Sequence, residues 1–177
     1  ERVWRGTDSK NVDLRLGRSI VSLDPQGKAA EDDRGETYAY ESVLLATGGR
    51  VRRLPFGGDS IIYYRTMEDY RRLRSLTERG QRFVVIGGGF IGSEIAAALA
   101  SNGKHVTIVF PDGSLGERVF PRALAEFVTF YYGEKGVQVL SRASVLDVTA
   151  SGTRATVQVR LAGGELATIE ADRADRF

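Results

Sequence analysis

The stretch from Arg82 to Leu99, RFVVIGGGFIGSEIAAAL, leaves this chain few ways to fold. It opens on Phe83-Val84-Val85-Ile86, an unbroken apolar run of the kind that forms a strand buried on both faces in a parallel sheet. Gly87-Gly88-Gly89-Phe90-Ile91-Gly92 follows, and its glycines at 87, 89 and 92 fill a G-x-G-x-x-G frame. Gly87 permits a tight turn from strand to helix. Gly89 removes a side chain where phosphate must approach the backbone, and Gly92 lets the helix pack closely on the strand. Ile91, Ile95 and Leu99 then recur at i, i+4 and i+8, giving the helix an apolar face. A second strand is predicted at His105–Phe110. Asp112 stands just past it, 112 − 92 = 20 residues beyond the last glycine, where such a unit places the carboxylate that accepts from an adenosine ribose. A glycine-rich turn is often only a turn. The strand before it, the helix after it and the carboxylate at that distance predict a dinucleotide site with its pyrophosphate at the helix N-terminus.

The rest of the chain predicts two further sheets. Val12–Leu16 and Ser19–Asp24 alternate as half-buried strands do. Pro25-Gln26-Gly27-Lys28 marks a turn, and Glu31–Glu36 reads as an acidic, exposed run. Thr37–Tyr40 is a third short strand, which completes an antiparallel meander. Val43-Leu44-Leu45-Ala46 reads as a buried strand ending in Thr47-Gly48-Gly49, where bulky side chains vanish and a flat ligand or another backbone can come close. Thr66 is a predicted helix N-cap, with Asp69 where Glu or Gln is usual in a capping box, and the helix ends before Gly80. Its arginines, Arg71, Arg72, Arg74 and Arg79, fit a solvated face better than an anion-binding one. Pro111–Gly116 is expected to be a flexible loop over the ribose position. Pro121 opens a helix carrying Leu124, Phe127, Val128 and Tyr131, and Gly136 ends it. Val137–Leu140 is a buried strand. Ala143–Ala150, Arg154–Leu161 and Glu165–Ala171 form a second meander. The fold class is therefore α/β, with a β-α-β-α-β parallel core and antiparallel strands appended.

Composition removes several chemistries. The chain has no cysteine and one histidine, which excludes disulfides and thiolate sites and leaves no metal site expected. His105 opens a strand with no nucleophile motif beside it and reads as structural. A net charge of +2 does not argue for nucleic acid. No apolar run is long enough to span a bilayer. With no leader visible, a cytoplasmic location is expected, although an opening of Glu-Arg-Val-Trp suggests that residues precede it. Trp4 carries no functional reading.

Tyr40–Gly48 (YESVLLATG), Arg52-Arg53-Leu54-Pro55 and the VVIGGGFIGSE of Val84–Glu94 together resemble the pyridine nucleotide-disulfide oxidoreductase flavoproteins. Phe110-Pro111-Asp112 and Gly116-Glu117-Arg118-Val119-Phe120-Pro121 are similar to the ribose loop of the apoptosis-inducing-factor-like NADH oxidoreductases, which have Glu where Asp112 stands. The resemblance implies a Rossmann-type NAD(P)-binding domain over 81–177 with its last strand incomplete, a connecting segment and helix over 58–80, and a remnant of an FAD-binding domain over 1–57. It implies hydride transfer from nicotinamide to FAD and electrons passed onward to an acceptor protein or small molecule. It also admits a homodimer.

By motif position, Gly87, Gly89 and Gly92 would bind the pyrophosphate, Gly88 and Ile91 would also touch the cofactor, Phe90 would gate or stack on the nicotinamide, and Glu94 would approach its amide. Arg118 would reach ribose or phosphate, and Ala46, Thr47 and Gly48 would touch cofactor. The plainer alternatives are core packing for Phe90, a carboxylate favoured by the helix dipole for Glu94 and a surface arginine for Arg118. A carboxylate at 112 favours NADH over NADPH. The family's opening FAD glycine motif has no counterpart in residues 1–40, so the chain is expected to be a piece of a longer enzyme, inactive alone, that retains no FAD. A different class, an NADH-sensing module with incidental turnover, fits the same motifs.

Overall fold

The computed structural model describes residues 12–172, and the chain divides into two compact units, Glu1–Gly49 and Arg50–Phe177. Trp4 lies outside the described residues, as does the chain beyond Asp172.

In the first unit β1 (Ile20–Asp24), β2 (Ala29–Asp32) and β3 (Thr37–Ala39) form an antiparallel meander. Leu23 pairs with Ala30, and Ala30 with Tyr38. The turn after β1 is tied by Asp24 Oδ1, which accepts from the amides of Gln26 and Gly27 at 3.0 and 2.9 Å, an Asx turn.

Two sequence expectations fail in this unit. Val12–Leu16 is exposed irregular chain, and β2 supplies the missing strand from within the supposed acidic loop. Asp32 is the reason. Its side chain is buried and takes four donors: Arg34 N and Glu36 N on Oδ1, both at 2.9 Å, and Tyr38 Oη and Arg18 Nη1 on Oδ2, both at 2.8 Å. A fully hydrogen-bonded carboxylate can sit inside where an unpaired one cannot. Val43–Ala46 also forms no strand. Leu44 is 89% exposed and Leu45 67%, because among the described residues no neighbouring strand offers it a ladder.

The second unit has a 3-10 turn at Gly58–Ser60 and then α1 (Met67–Arg79). Thr66 Oγ1 accepts from Asp69 N at 3.2 Å, and the Asp69 carboxylate accepts from Thr66 N at 2.8 Å. Aspartate thus closes the capping box in place of the usual Glu. Thr66→Ala is expected to lower stability by about 1 kcal/mol, the usual worth of an N-cap, as a shift in the urea midpoint at unchanged slope. The arginines of α1 behave as a solvated face. Arg71 pairs with Glu68 at 3.7 Å, and Arg74 donates to Tyr70 Oη at 2.9 Å.

Next come β4 (Arg82–Ile86), α2 (Phe90–Ser101), β5 (His105–Val109), α3 (Arg122–Glu134) and β6 (Gln138–Leu140). The strands form a parallel sheet in the order β4-β5-β6, with Val84 beside Thr107 and Ile108 beside Val139. β7 (Ser144–Ser151), β8 (Arg154–Arg160) and β9 (Leu166–Asp172) form the predicted antiparallel meander.

Two cores result. Phe83, Ala96, Leu99, Val106, Ile108 and Phe110 pack the parallel sheet against α2, α3 and α1. Val109, Val148, Val157 and Val159 pack its other face against the meander. At the far end, Asp172 Oδ2 accepts from Gln81 N and Arg82 N at 2.6 and 3.0 Å, fastening the end of β9 to the start of β4.

Of the four apolar residues expected on α3, only Val128 packs on the core. Ala125, Val128 and Tyr132 meet the core, with Tyr132 Oη on the carbonyl of Ser93 at 3.0 Å. Leu124, Phe127 and Tyr131 are exposed. Both rows have helical spacing, so periodicity alone does not choose between them.

Candidate dinucleotide site

The site starts where β4 ends. Gly87 takes φ of 115°, a backbone that L side chains rarely adopt, and its amide donates to the carbonyl of Val109 on β5 at 2.9 Å. A Cβ on Gly92 would collide with the carbonyl oxygen of Gly87, so the helix starts hard against the turn. A Cβ on Gly88 would meet the ring of buried Phe110 at 2.7 Å. Gly88, expected to touch the cofactor, has a packing role, and its carbonyl also accepts from Gly116 N at 2.9 Å. Gly89 differs from these three. Its backbone is ordinary, at φ −81° and ψ −174°, yet a Cβ there would find nothing within 4 Å. The open space lies at the N-cap of α2, whose first turn has no side-chain cap. In contrast to α1, the chain leaves these N–H groups and the positive dipole end unmatched, which suits a bound pyrophosphate.

Two features flank this loop. On the outer side of β4, the edge strand of its sheet, runs an apolar groove of about 700 Å³ lined by Val85, Ile86, Gly87, Gly89, Phe90 and Ile91 among others. Phe90 and Ile91 are 55% and 54% exposed, so Ile91 does not join Ile95 and Leu99 in the core. Phe90 meets Phe120 edge to face, with centroids 5.7 Å apart and planes at 84°. Glu94, one turn further along α2, is exposed and does not line the groove.

On the other side, past the end of β5, stands Asp112. Arg118 donates to its Oδ1 from Nε at 3.2 Å and from Nη2 at 3.1 Å. Crevices outside the carboxyl ends of parallel strands are where α/β sheets bind ligands.

The loop between Pro111 and Gly116 is anchored, contrary to the flexible loop expected. Glu117 Oε2 accepts from the amides of Gly113 and Ser114. Leu115 is buried, and its amide donates to Thr129 Oγ1 at 2.8 Å. Sequence reading assigns Phe110 and Glu117 no role beyond their place in the motif and does not signal Arg142, whose amide donates to the carbonyl of Asp112 at 2.9 Å. Arg142 follows β6 and reaches Asp112 only because β6 pairs with β5, a contact no local spacing signals. Ala46, Thr47 and Gly48 are exposed and belong to the other compact unit. Among the described residues no cluster of His, Cys, Asp or Glu could hold a metal ion, and no helix is long and apolar enough to cross a membrane.

The sequence pattern of the pyridine nucleotide-disulphide oxidoreductases matches residues 6–174. Monodehydroascorbate reductase 3 of Arabidopsis thaliana is 35% identical over 173 residues, covering 92% of this chain and 38% of that protein. The ferredoxin–NAD(+) reductase component of the anthranilate 1,2-dioxygenase system of Burkholderia cepacia is 36% identical over 173 residues, covering 95% and 39%. The crystal structure of the ferredoxin reductase for the CYP199A2 system of Rhodopseudomonas palustris superposes with a TM-score of 0.72 at 28% identity, over 88% of this chain and 38% of that one. The chain thus spans 38–39% of the length of these relatives.

Proposed function

Because this chain belongs to the pyridine nucleotide-disulphide oxidoreductase family, we propose that its second unit is the NADH-binding domain of a flavin-dependent oxidoreductase. The first unit then belongs to the flavin-binding side, with Ala46, Thr47 and Gly48 toward the cofactor. The single observation that carries this reading is the open space at Gly89 before an uncapped helix, with a carboxylate standing past the end of the neighbouring strand.

In this reading the first-turn amides of α2 take the pyrophosphate. Gly87 and Gly92 shape the turn that aims them, and Asp112 Oδ2 accepts from the ribose 2′-hydroxyl. The nicotinamide half lies toward Phe90, past the carboxyl end of β4. Glu94, exposed one turn further along the same helix, is assigned the carboxamide by its place in the motif. FAD, were it bound, would supply a hydride acceptor beside the nicotinamide and a route for electrons to a redox acceptor, a protein or a small molecule. The Phe110-Pro111-Asp112 loop favours the apoptosis-inducing-factor-like branch. This chain alone is expected to purify without stoichiometric flavin absorbance.

The direct test is calorimetric titration of the chain with NADH and with NADPH. Saturable binding of NADH, at least tenfold tighter than that of NADPH, is expected. No heat with either dinucleotide from a folded sample would overturn the reading.

A further inference from the structure

α3 carries its charges against its own dipole. Arg122 stands in its first turn and Glu134 in its last, with no acidic residue in the first turn and no basic one in the last. A helix N-terminus favours carboxylates and a C-terminus favours cations. α1 obeys that rule, with Glu68 and Asp69 at its start and Arg79 at its end. Glu134 is exposed and enters no ion pair among the described residues. Lys135, the C-cap, holds its ammonium over the Tyr131 ring, 5.2 Å from the centroid. Arg122 is exposed and tied within the helix through Nε, on Glu126 at 2.7 Å. Between these two ends runs the apolar row that the sheet leaves outside. Phe127, Phe130 and Tyr131 are 61%, 65% and 47% exposed, with Leu124 beside them, and Phe127 stacks on Tyr131 at 6.2 Å. At about 200 Å² for a whole aromatic side chain, the three rings present roughly 350 Å². Contiguous apolar patches of that size on a soluble chain mark contact surfaces. Next to the row lies a hollow of about 450 Å³ lined by Ser114, Thr129, Phe130, Gly133 and Val139 among others. Gly133 has no positive φ, and a Cβ there would meet nothing within 4 Å. Glycine weakens a helix, and nothing within the chain requires one here.

We propose that this face is a self-association surface: two copies of the chain pair through α3, antiparallel about a two-fold axis. A closed two-fold contact uses the same patch on both copies, so projections and the hollow that receives them must lie side by side. The aromatic row and the hollow at Gly133 meet that condition on one helix. A two-fold axis crossing α3 sets Arg122 of each copy at the end where Glu134 of the other stands. Both charges then meet an opposite charge, and each helix end faces the opposite end of a second dipole. The three rings supply nearly half of the ~800 Å² that a standard interface takes from each side. They form its apolar centre, with Leu124 and the charged ends as the rim. Neither the glycine turn nor Asp112 takes part, so the surface stands apart from the dinucleotide reading.

The test is sedimentation velocity of the whole chain from low to high micromolar concentration. Wild type is expected to pass from one copy to two across that range. Phe127→Ser/Phe130→Ser should raise the dissociation constant at least tenfold while the far-ultraviolet circular dichroism stays that of wild type. Gly133→Leu, a better helix former that fills the hollow, should weaken pairing as strongly with no loss of helix. Glu134→Arg repairs the dipole of its own helix yet should weaken pairing several-fold, because it sets like charges together, and the effect should shrink as salt rises. Arg122→Glu/Glu134→Arg should restore pairing, a reversal that a role within one helix would not produce. Wild type that stays a single copy at high micromolar concentration overturns the proposal and leaves the face to another occupant. A dimer indifferent to Phe127, Phe130 and Gly133 overturns it too, since its contact then lies elsewhere. Failure of the double charge reversal to restore pairing overturns the antiparallel arrangement.

Discussion

Replacing Gly92 with alanine is expected to destabilise the second unit by about 3 kcal/mol, the upper end of ordinary overpacking. The added Cβ would sit inside the contact radius of the Gly87 carbonyl oxygen. That atom is backbone, and it cannot step aside as the end of a flexible side chain could. Gly87 is itself held, by its left-handed conformation and by its bond to Val109. Relief must come from moving α2 off β4, which opens the core at Ala96 and Leu99. For a unit of this size the melting temperature should fall by roughly 10 °C, and NADH binding should be lost with the geometry of the turn.

Gly89→Ala is the informative partner. Its backbone suits any residue and its Cβ would touch nothing. Stability should therefore stay within about 0.5 kcal/mol of wild type, while NADH affinity falls at least tenfold because the methyl group stands where the pyrophosphate comes down. Thermal melts and titrations of the two variants separate the glycine that builds the loop from the glycine that leaves room for the ligand. Undiminished NADH binding by Gly89→Ala would remove the cradle from the argument.

The second large effect belongs to the first unit. Among its described residues only Ala30 and Asp32 are buried, so its meander depends on Asp32 more than on an apolar core. Burial pushes the Asp32 carboxyl up. Donation from Glu36 N, Tyr38 Oη and Arg34 N, with the charge of Arg18, outweighs burial and holds it at about 2, below the usual 3.8. The folded meander therefore binds a proton less readily than the unfolded chain. Its stabilisation by Asp32 is complete above pH 3.8 and is lost as the pH falls from there through about 2.

Asp32→Ala would leave Tyr38 Oη and two amides without their acceptor, and β1–β3 should unravel at neutral pH. Amide exchange at Arg34 and Glu36, the two residues that donate to Oδ1, reports this directly and should become fast. Asp32→Asn should flatten the acid limb between pH 4 and 2, while Asp33→Asn, at an exposed neighbour, should leave it as in wild type. An acid limb unchanged in Asp32→Asn would contradict the assignment.

Much of the second unit was legible in the residues. β4, α2 and β5 follow from an apolar run, a glycine frame and a helical period lying next to one another. The meander of β7–β9 follows from alternation broken by glycine turns. Thr66 announced α1. The errors share a cause. Val43–Ala46 has the composition of a buried strand, but a strand exists only where another backbone pairs with it. Asp32 was read as solvated because a carboxylate is apolar-averse by type, and the four donors that admit it come from Arg18, Arg34, Glu36 and Tyr38, which only the folded meander gathers. On α3 two apolar rows competed for the core, and the sheet took the one with Ala125, Val128 and Tyr132.

The sequence sufficed for the glycine turn and the elements on either side of it. It specified the turn, the helix after it and the carboxylate at its set distance. Contacts across the sheet needed the folded molecule. Gly88 yields to Phe110 because β4 and β5 lie side by side. Arg142 stands beside Asp112 because β6 pairs with β5. Arg118 is bound to Asp112 because the loop between them is pinned by Glu117 and Leu115. Local spacing encodes local geometry, whereas the charge around a bound ribose is a sum over residues that only folding brings within a few ångströms.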